Sequence, residues 1–276
     1  MRHLSVLALA LVASHAAADT TTWLTINNGS TTVSSSESEL TSAFSQSGAG
    51  WTTESLSRGL AKNGVLGSLS RVNFSEIHNW NQPQTVAATS QVTYTNRITF
   101  SSADLALGTS MRVVIDLGLH GENFMFAESW GSAQGTADAN LYVNVRNPTG
   151  TSYDRSLRQV LNSSGSMSSE ESGTFIAVVA NGSTIDLTVR LRTSAALSNS
   201  SLNSTGWVGP GSGSIVSDFG NTGGVSGITF ATTSGQAITG SYTALDGGFD
   251  LYTVPSPASG LLLGGGALLA FRRRRG

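Results

Sequence analysis

The chain has 276 residues, a formal net charge of −2 and only 12% charged residues. It contains no cysteine, which excludes disulfides, thiolate metal sites, thiol nucleophiles and c-type haem attachment. Lys62 is the single lysine, so the chain lacks the basic footprint that nucleic-acid binding requires. We therefore expect no nucleic-acid partner.

The first 18 residues have the three parts of a secretory signal peptide. Met1-Arg2-His3 is positively charged, Leu4 to Ala13 is apolar, and small residues follow at Ala16 and Ala18. The apolar run is shorter than the roughly 20 residues that a membrane-spanning helix needs. We expect a signal helix over residues 1–18, cut by signal peptidase before Asp19.

The interval from residue 19 to residue 253 is expected to form one domain. With the arginines of the two terminal segments set aside, 10 basic residues face 17 acidic ones, a net charge near −7. An exported chain without disulfides depends on its apolar core, and an interval of this length can bury a sufficient one.

Alternation of apolar and polar residues predicts strands along this interval. The clearest run is Ile185 to Arg192, in which every second residue is apolar. Other predicted strands lie at residues 23–26, 68–77, 90–100, 111–119, 141–146, 174–180, 225–231, 237–243 and 249–254. The Asn181-Gly182 pair, between two such runs, predicts a β-hairpin.

Helix is predicted at one place in the domain, Glu37 to Gln46, where Ser36 and Glu39 have capping-box spacing. The serine-rich segments 162–172 and 194–205 are expected to be long loops. About ten short strands joined by polar loops predict an all-β, antiparallel two-sheet sandwich that is jelly-roll-like.

Metal and catalytic chemistry find weak support in the residue pattern. His78, His120 and Glu122 could offer three zinc ligands, but their linear spacing matches no zinc site, and solvated loop histidines explain them better. Glu122 with Glu128, and Glu170 with Glu171, could form the carboxylate pair of a glycosidase, although 17 acidic residues produce such pairs by chance. We expect a non-enzymatic protein without a cofactor or a zinc site.

Two further features leave alternatives open. Asp218, Asp246 and Asp250 lie in oxygen-rich turns that could bind calcium, but neither turn has EF-hand spacing, and turn formation alone explains them better. Tryptophans could stack on sugars or fill the core, and the sequence favours neither. They stand at positions 51, 80, 130 and 207 of the expected domain.

The end of the chain has three parts in a fixed order. A stem, Val254-Pro255-Ser256-Pro257, precedes an uncharged apolar run from Ala258 to Phe271. Four arginines follow, Arg272, Arg273, Arg274 and Arg275, and stay cytoplasmic by the positive-inside rule. The run of 14 residues is short for a stable transmembrane helix, which suits a temporary anchor.

This tripartite end resembles the PEP-CTERM sorting signal that exosortases recognise, with Ser256 in place of the usual glutamate. A GPI-like signal lacks the terminal arginine block. Residues 217–254 also resemble the closing strands of PEP-CTERM ectodomains. The resemblance implies processing at residues 254–257, with signal peptidase and an exosortase as partners.

Taken together, the sequence predicts a signal peptide (1–18), a β-sandwich ectodomain (19–253) and a sorting and anchor segment (254–276). The protein would be exported, held briefly in the inner membrane by its C-terminal helix, and delivered to the cell surface or extracellular matrix. Exopolysaccharide is a further candidate partner that the resemblance implies. The alternatives are a carbohydrate-binding module and a secreted hydrolase on a jelly-roll scaffold.

Overall fold

The computed structural model describes residues 19–26, 29–34, 38–48, 51–75, 84–131, 133–162, 164–199 and 211–252. These residues form fourteen strands, β1 to β14 in chain order, arranged in two antiparallel sheets. The prediction of an all-β, antiparallel two-sheet sandwich is confirmed.

Sheet A has the strand order β2-β1-β6-β11-β8-β9, and β14 pairs with β6 beyond the end of β1. Its central strand β6 has 18 residues and carries three neighbours along its two edges. The strands are β1 (Asp19–Ile26), β2 (Gly29–Ser34), β6 (Gln84–Ser101), β8 (Gln134–Arg146), β9 (Ser152–Leu161), β11 (Thr184–Asn199) and β14 (Ser241–Ala244).

Sheet B has the order β10-β7-β12-β5-β4-β3, and β13 pairs with β12. The 20-residue strand β12 is bulged between Phe219 and Gly223, where its pairing with both neighbours shifts. The strands are β3 (Ser38–Gly48), β4 (Trp51–Lys62), β5 (Val65–Ser75), β7 (Ser110–Ala127), β10 (Gly165–Ala180), β12 (Gly213–Thr232) and β13 (Ala237–Ile238).

The core lies between the two sheets and follows the period of two that the sequence predicts. Alternate residues of β7, β8 and β11 are fully buried in the larger apolar cluster, where β6 adds Tyr94, Ile98 and Phe100. A smaller apolar cluster, which includes Val72 and Phe74, lies toward the opposite end of the sandwich.

A layer of buried hydroxyl groups, here called the hydroxyl belt, separates the two clusters. It consists of Ser68, Ser70, Ser90, Thr193 and Ser217. The Thr193 hydroxyl lies 2.8 Å from Ser68 Oγ and 2.9 Å from Ser70 Oγ, so the two sheets are hydrogen-bonded through their interior. On β5, β6 and β11 the belt residues stand between members of the two clusters.

Three local predictions are wrong. Over its described residues, 38–46, the helix predicted at Glu37 to Gln46 is part of strand β3, which pairs with β4 along its whole length. The predicted loop at 162–172 belongs largely to β10. The predicted loop at 194–205 belongs to β11 over residues 194–199, and its residues 200–205 lie outside the described part of the chain. Serine-rich stretches extend as strands here because the long neighbours β7 and β6 offer continuous hydrogen-bonding partners.

The predicted Asn181-Gly182 hairpin is also wrong, because β10 lies in sheet B and β11 lies in sheet A. The turn has a positive φ at Gly182 (80°) but not at Asn181, whereas a hairpin turn of type I′ needs both. The buried Asn181 side chain instead donates to the carbonyl oxygens of Ser102 (2.9 Å) and Leu105 (2.7 Å). The pair forms a corner between the sheets.

The predicted strand at 237–243 is split between β13 in sheet B and β14 in sheet A. The predicted final strand at 249–254 is not a strand over its described residues, 249–252. Those residues cross from sheet A to sheet B.

Candidate functional site

The predicted processing residues lie outside the described part of the chain. This applies to Ala16 and Ala18, to Val254–Pro257 and to Arg272–Arg275. Tyr252 is the described residue nearest to the predicted stem. The residues that lead to it are held by contacts with both sheets.

Residues 245–252, here called the closing segment, run from sheet A to sheet B across the edge of the sandwich. The segment begins on β6, where the Leu245 backbone N–H donates to the Arg97 carbonyl oxygen at 2.8 Å. It ends beside β12, where the Tyr252 N–H donates to the Val225 carbonyl oxygen at 2.7 Å. The segment therefore ties the last described residue to both sheets.

A bidentate ion pair holds the start of the closing segment. Arg97 Nη2 donates to Asp246 Oδ1 at 2.6 Å and Arg97 Nε to Oδ2 at 2.8 Å, and the Arg97 backbone N–H donates to Oδ2 at 3.0 Å. Asp246 is 7% exposed, whereas the Arg97 side chain is half exposed. These hydrogen bonds hold the pKa of the Asp246 carboxyl below its ordinary value.

An aromatic ring fills the middle of the edge. Phe249 is buried, stacks on Tyr94 with ring centroids 6.3 Å apart, and meets Tyr242 edge-on at 5.7 Å. The Tyr94 hydroxyl donates to the Gly248 carbonyl oxygen at 2.5 Å. Burial raises the Tyr94 pKa, so the phenol stays a donor.

The β4–β5 turn supports the same segment. Asn63 and Gly64 both have positive φ (48° and 88°), as a type I′ hairpin turn requires. The Asn63 carbonyl oxygen accepts from the Asp250 backbone N–H at 2.7 Å, and its side-chain amide donates to the Asp250 carboxylate at 3.1 Å. Gly64 leaves room for the Phe249 ring, which would lie 2.8 Å from an added Cβ.

Tyr252 lies on the outer face of sheet B. Its ring covers Gly118 of β7, whose added Cβ would lie 2.8 Å from it. Burial, with a smaller contribution from Glu170, raises the pKa of Tyr252 to about 12. The chain thus leaves the described sandwich from the outer face of sheet B.

The structure describes two of the three candidate zinc ligands. His78 lies outside the described residues; His120 and Glu122 are on the outward side of β7. Among the residues that the structure describes, no group of three or more His, Asp or Glu side chains could hold a metal ion.

The three candidate calcium ligands lie in two different parts of the structure. Asp218 lies on β12, where its carboxylate accepts from the Gly220 backbone N–H at 3.0 Å. Asp246 and Asp250 are engaged by Arg97 and Asn63.

The two carboxylate pairs also differ from a glycosidase arrangement. Glu122 and Glu128 are separated by six positions along β7 and its end, about 20 Å at the rise of a strand. That exceeds the roughly 5–9.5 Å between catalytic carboxyls. Glu170 and Glu171 are successive residues of strand β10 and point to opposite faces.

The structure describes the surroundings of one of the four tryptophans that could either stack on sugars or fill the core. Trp130 packs on the smaller apolar cluster, with its ring centroid 6.1 Å from that of Phe74, and its indole N–H donates to Ser164 Oγ. It is a partly buried residue at the edge of the core. The side chains of the other three, at positions 51, 80 and 207, lie outside the described set.

The outer face of sheet B carries a surface that the sequence analysis missed, here called the outer face groove. On β4 the hydroxyl side chains Thr53, Ser55 and Ser57 are buried, while Leu56 and Leu60 point outward. Two depressions of about 250 and 310 Å³ result. They are lined by Arg58, Leu60, Leu69 and Asp218, and by Glu54, Leu56, Arg71 and Asn73.

Comparisons with protein-family models, with curated proteins and with solved structures each return no match. Within the described residues, no helix is long and apolar enough to span a membrane.

Proposed function

We propose that this chain is an exported bacterial cell-surface or extracellular-matrix protein of the PEP-CTERM type with a non-catalytic sandwich domain. Signal peptidase and an exosortase would process it, and a short C-terminal transmembrane helix would hold it in the inner membrane until then. The flanking signal helix, the anchor helix and a jelly-roll-like topology belong to this proposal. Most consecutive strands from β5 to β12 alternate between the two sheets, which favours a jelly-roll-like topology.

The observation that carries the proposal is the extent of the described fold. Its first strand begins at Asp19, the residue after the predicted signal peptidase site. Its last strand, β14, ends at Ala244, and the closing segment follows it ahead of the predicted stem at Val254. The folded domain thus fits the interval between the two predicted targeting segments.

The test is the intact mass of the protein recovered from the surface and the medium of the native host. The expected product begins at Asp19 and ends near Pro257. Replacement of Arg272–Arg275 by glutamine should release or mislocalise the protein, whereas Arg192→Gln on the exposed face of sheet A should not. A mature protein that keeps the four arginines would refute exosortase processing.

Carbohydrate binding is a second candidate, and the outer face groove is the observation that favours it. Outward leucines beside arginine, asparagine and carboxylate side chains offer apolar contact for sugar rings and hydrogen bonds for their hydroxyls. Retardation of the protein in gels containing exopolysaccharide would measure this.

The groove variant for that test is Arg71→Ala, and the matched control is Arg192→Ala on the outer face of sheet A. We expect retardation that falls with the first variant and persists with the second. Equal migration with and without every polysaccharide tried would remove this candidate.

A further inference from the structure

Strand β10 forms one edge of sheet B. Among the described residues its one hydrogen-bonded neighbouring strand is β7. Residues 172–180 (SGTFIAVVA) carry no charge and no proline. On the outer face Ile176 is 47% exposed and Val178 is 36% exposed. An uncharged, apolar edge strand of this length is a template for pairing with another strand.

The direction of the backbone groups of β10 can be assigned from hydrogen bonds. The side-chain amide of Asn147, in the β8–β9 turn, donates to the Val178 carbonyl oxygen at 2.9 Å, so this carbonyl points away from β7. Backbone groups of successive residues in a strand point to opposite sides. The N–H and C=O groups of Thr174 and Ile176 therefore also point away from β7.

We propose that two copies of this chain associate by antiparallel pairing of β10 with β10, so that sheet B continues from one copy into the other. The two-fold axis passes through Ile176, which lies opposite itself, and Thr174 lies opposite Val178. This register joins residues whose backbone groups all point to the free edge, as an antiparallel hydrogen-bonded ladder requires. A two-fold contact of this kind is closed and uses one patch twice.

The charges of β10 favour this register and a second copy as the occupant. Glu170 and Glu171 precede the apolar half of the strand. In the register centred on Ile176 they lie opposite Gly182 and Asn181 of the other copy, so no carboxylates face each other. The apolar halves overlap only with each other, which pairs the exposed isoleucine with its own copy.

Asn147 acts as a competitor at this edge. Its amide occupies the Val178 carbonyl oxygen that the second copy would use, on the exposed side of the strand. Backbone bonds of the turn, Asn147 N–H to the Thr151 carbonyl (2.8 Å) and Gly150 N–H to the Asn147 carbonyl (2.9 Å), do not need the side chain. Removal of the side chain therefore uncovers the edge without opening the turn.

The inference concerns the folded domain and does not depend on export or on glycan binding. Sedimentation velocity of the full chain, at one fixed detergent concentration, measures it over a range of protein concentrations. We expect a concentration-dependent dimer. Ile176→Lys should raise the dissociation constant of the dimer by about tenfold or more, because the apolar contact between the two copies of Ile176 becomes a pair of apposed lysine charges. Asn147→Ala should lower it.

Two controls separate edge pairing from other association. Ala43→Lys adds the same charge to the opposite edge strand, β3, and should leave the dimer unchanged. Val178→Lys repeats the test at a second outward residue of β10. Every variant keeps the C-terminal apolar run, so association through that run would be equal in all of them.

Amide hydrogen exchange gives a readout that follows the parity of the strand. In the dimer the amides of Thr174, Ile176 and Val178 should be protected, and in Ile176→Lys they should exchange fast. The amides of Phe175 and Val179, which face β7, should stay protected in both forms and report an intact β10. A monomeric wild-type chain, or a dimer whose even-numbered amides of β10 exchange as fast as in the variant, would overturn the proposal.

Discussion

Asp246→Asn offers a direct test of how the closing segment is held. Asparagine has the same shape, but one of its two terminal groups donates and no longer accepts. The carboxylate of Asp246 accepts from Nε and Nη2 of Arg97 and from the Arg97 backbone N–H. In the variant one side of this arrangement places an N–H against an N–H.

The size of the effect follows from the burial of the two partners. A hydrogen bond to a charged group contributes about 1.5–3 kcal/mol, and two of them are lost. The half-exposed Arg97 side chain regains water contacts, which reduces the loss. We expect a decrease in the free energy of unfolding of about 2 kcal/mol, or about 4–8 °C in Tm for a domain of this size.

The same carboxylate makes the effect dependent on pH. Its pKa is lower in the folded protein than the ordinary value of 3.8, so its contribution is complete above that value. The contribution is lost as the pH falls through the folded pKa. The stability difference between wild type and Asp246→Asn should therefore be largest near neutral pH and shrink in acid.

Urea unfolding of both proteins, at neutral pH and at several acidic pH values, measures this difference. The matched control is Asp138→Asn, which removes an ion pair with Arg158 whose two side chains are 25% and 59% exposed. Exposed pairs of this kind contribute about 0–1 kcal/mol. If the two variants lost equal stability, or if the Asp246 difference did not change with pH, the reasoning would be refuted.

Three further predictions concern the interior and the edge. Gly64→Ala (φ 88°, added Cβ 2.8 Å from the phenyl ring of the closing segment) should lower Tm by more than Gly150→Ala, which has the same φ and open space. Thr193→Val should cost about 1–2 kcal/mol in urea unfolding because it removes the centre of the hydroxyl belt, whereas Ser57→Ala, which removes a buried hydroxyl without a partner, should cost nothing. Tyr252→Phe should reduce the loss of stability expected as the pH rises from 10 to about 12, because the unfolded chain ionises this phenol before the folded one does, and the loss that remains is assigned to Tyr94, whose pKa burial also raises. Each prediction would be contradicted by its own result: equal Tm values for the two glycine variants, equal stability losses for Thr193→Val and Ser57→Ala, or an equal alkaline loss of stability in Tyr252→Phe and wild type.

The period of two in the sequence was enough to predict the fold class and most of the core. The runs at 111–119, 141–146 and 185–192 are buried on the predicted alternate residues. Each of these strands lies inside its sheet, where one face meets the core and the other meets solvent. The alternation is therefore complete and easy to recognise.

The alternation of apolar and polar residues does not determine which face of a strand packs against the core, and β4 illustrates this. Leu56 and Leu60 point outward, whereas the side chains of Thr53, Ser55 and Ser57 point inward, opposite to the usual rule. The three inward hydroxyl groups make no hydrogen bond among the described residues, so no partner in the structure explains this orientation. The sequence contains no sign of it, and the outer face groove was missed for this reason.

Local turn and cap signals failed where tertiary contacts outweigh them. The capping box near Ser36 predicted a helix, but eleven paired positions with β4 stabilise a strand there. Of the two Asn-Gly pairs that lie wholly within the described residues, Asn63-Gly64 is the hairpin and Asn181-Gly182 is the corner. The difference lies in what the asparagine side chain binds, and that partner, the loop after Ser102, is distant in sequence.

The closing segment also determines how the domain would respond to a pull on its C-terminal side. Its three backbone hydrogen bonds reach three different places: β6, the β4–β5 turn and β12. A force applied beyond Tyr252 meets them in sequence, first at Val225, then at Asn63 and last at Arg97. The domain would thus yield by peeling from its outer face inward, and the buried Asp246 ion pair would be the final mechanical clamp before the core is opened.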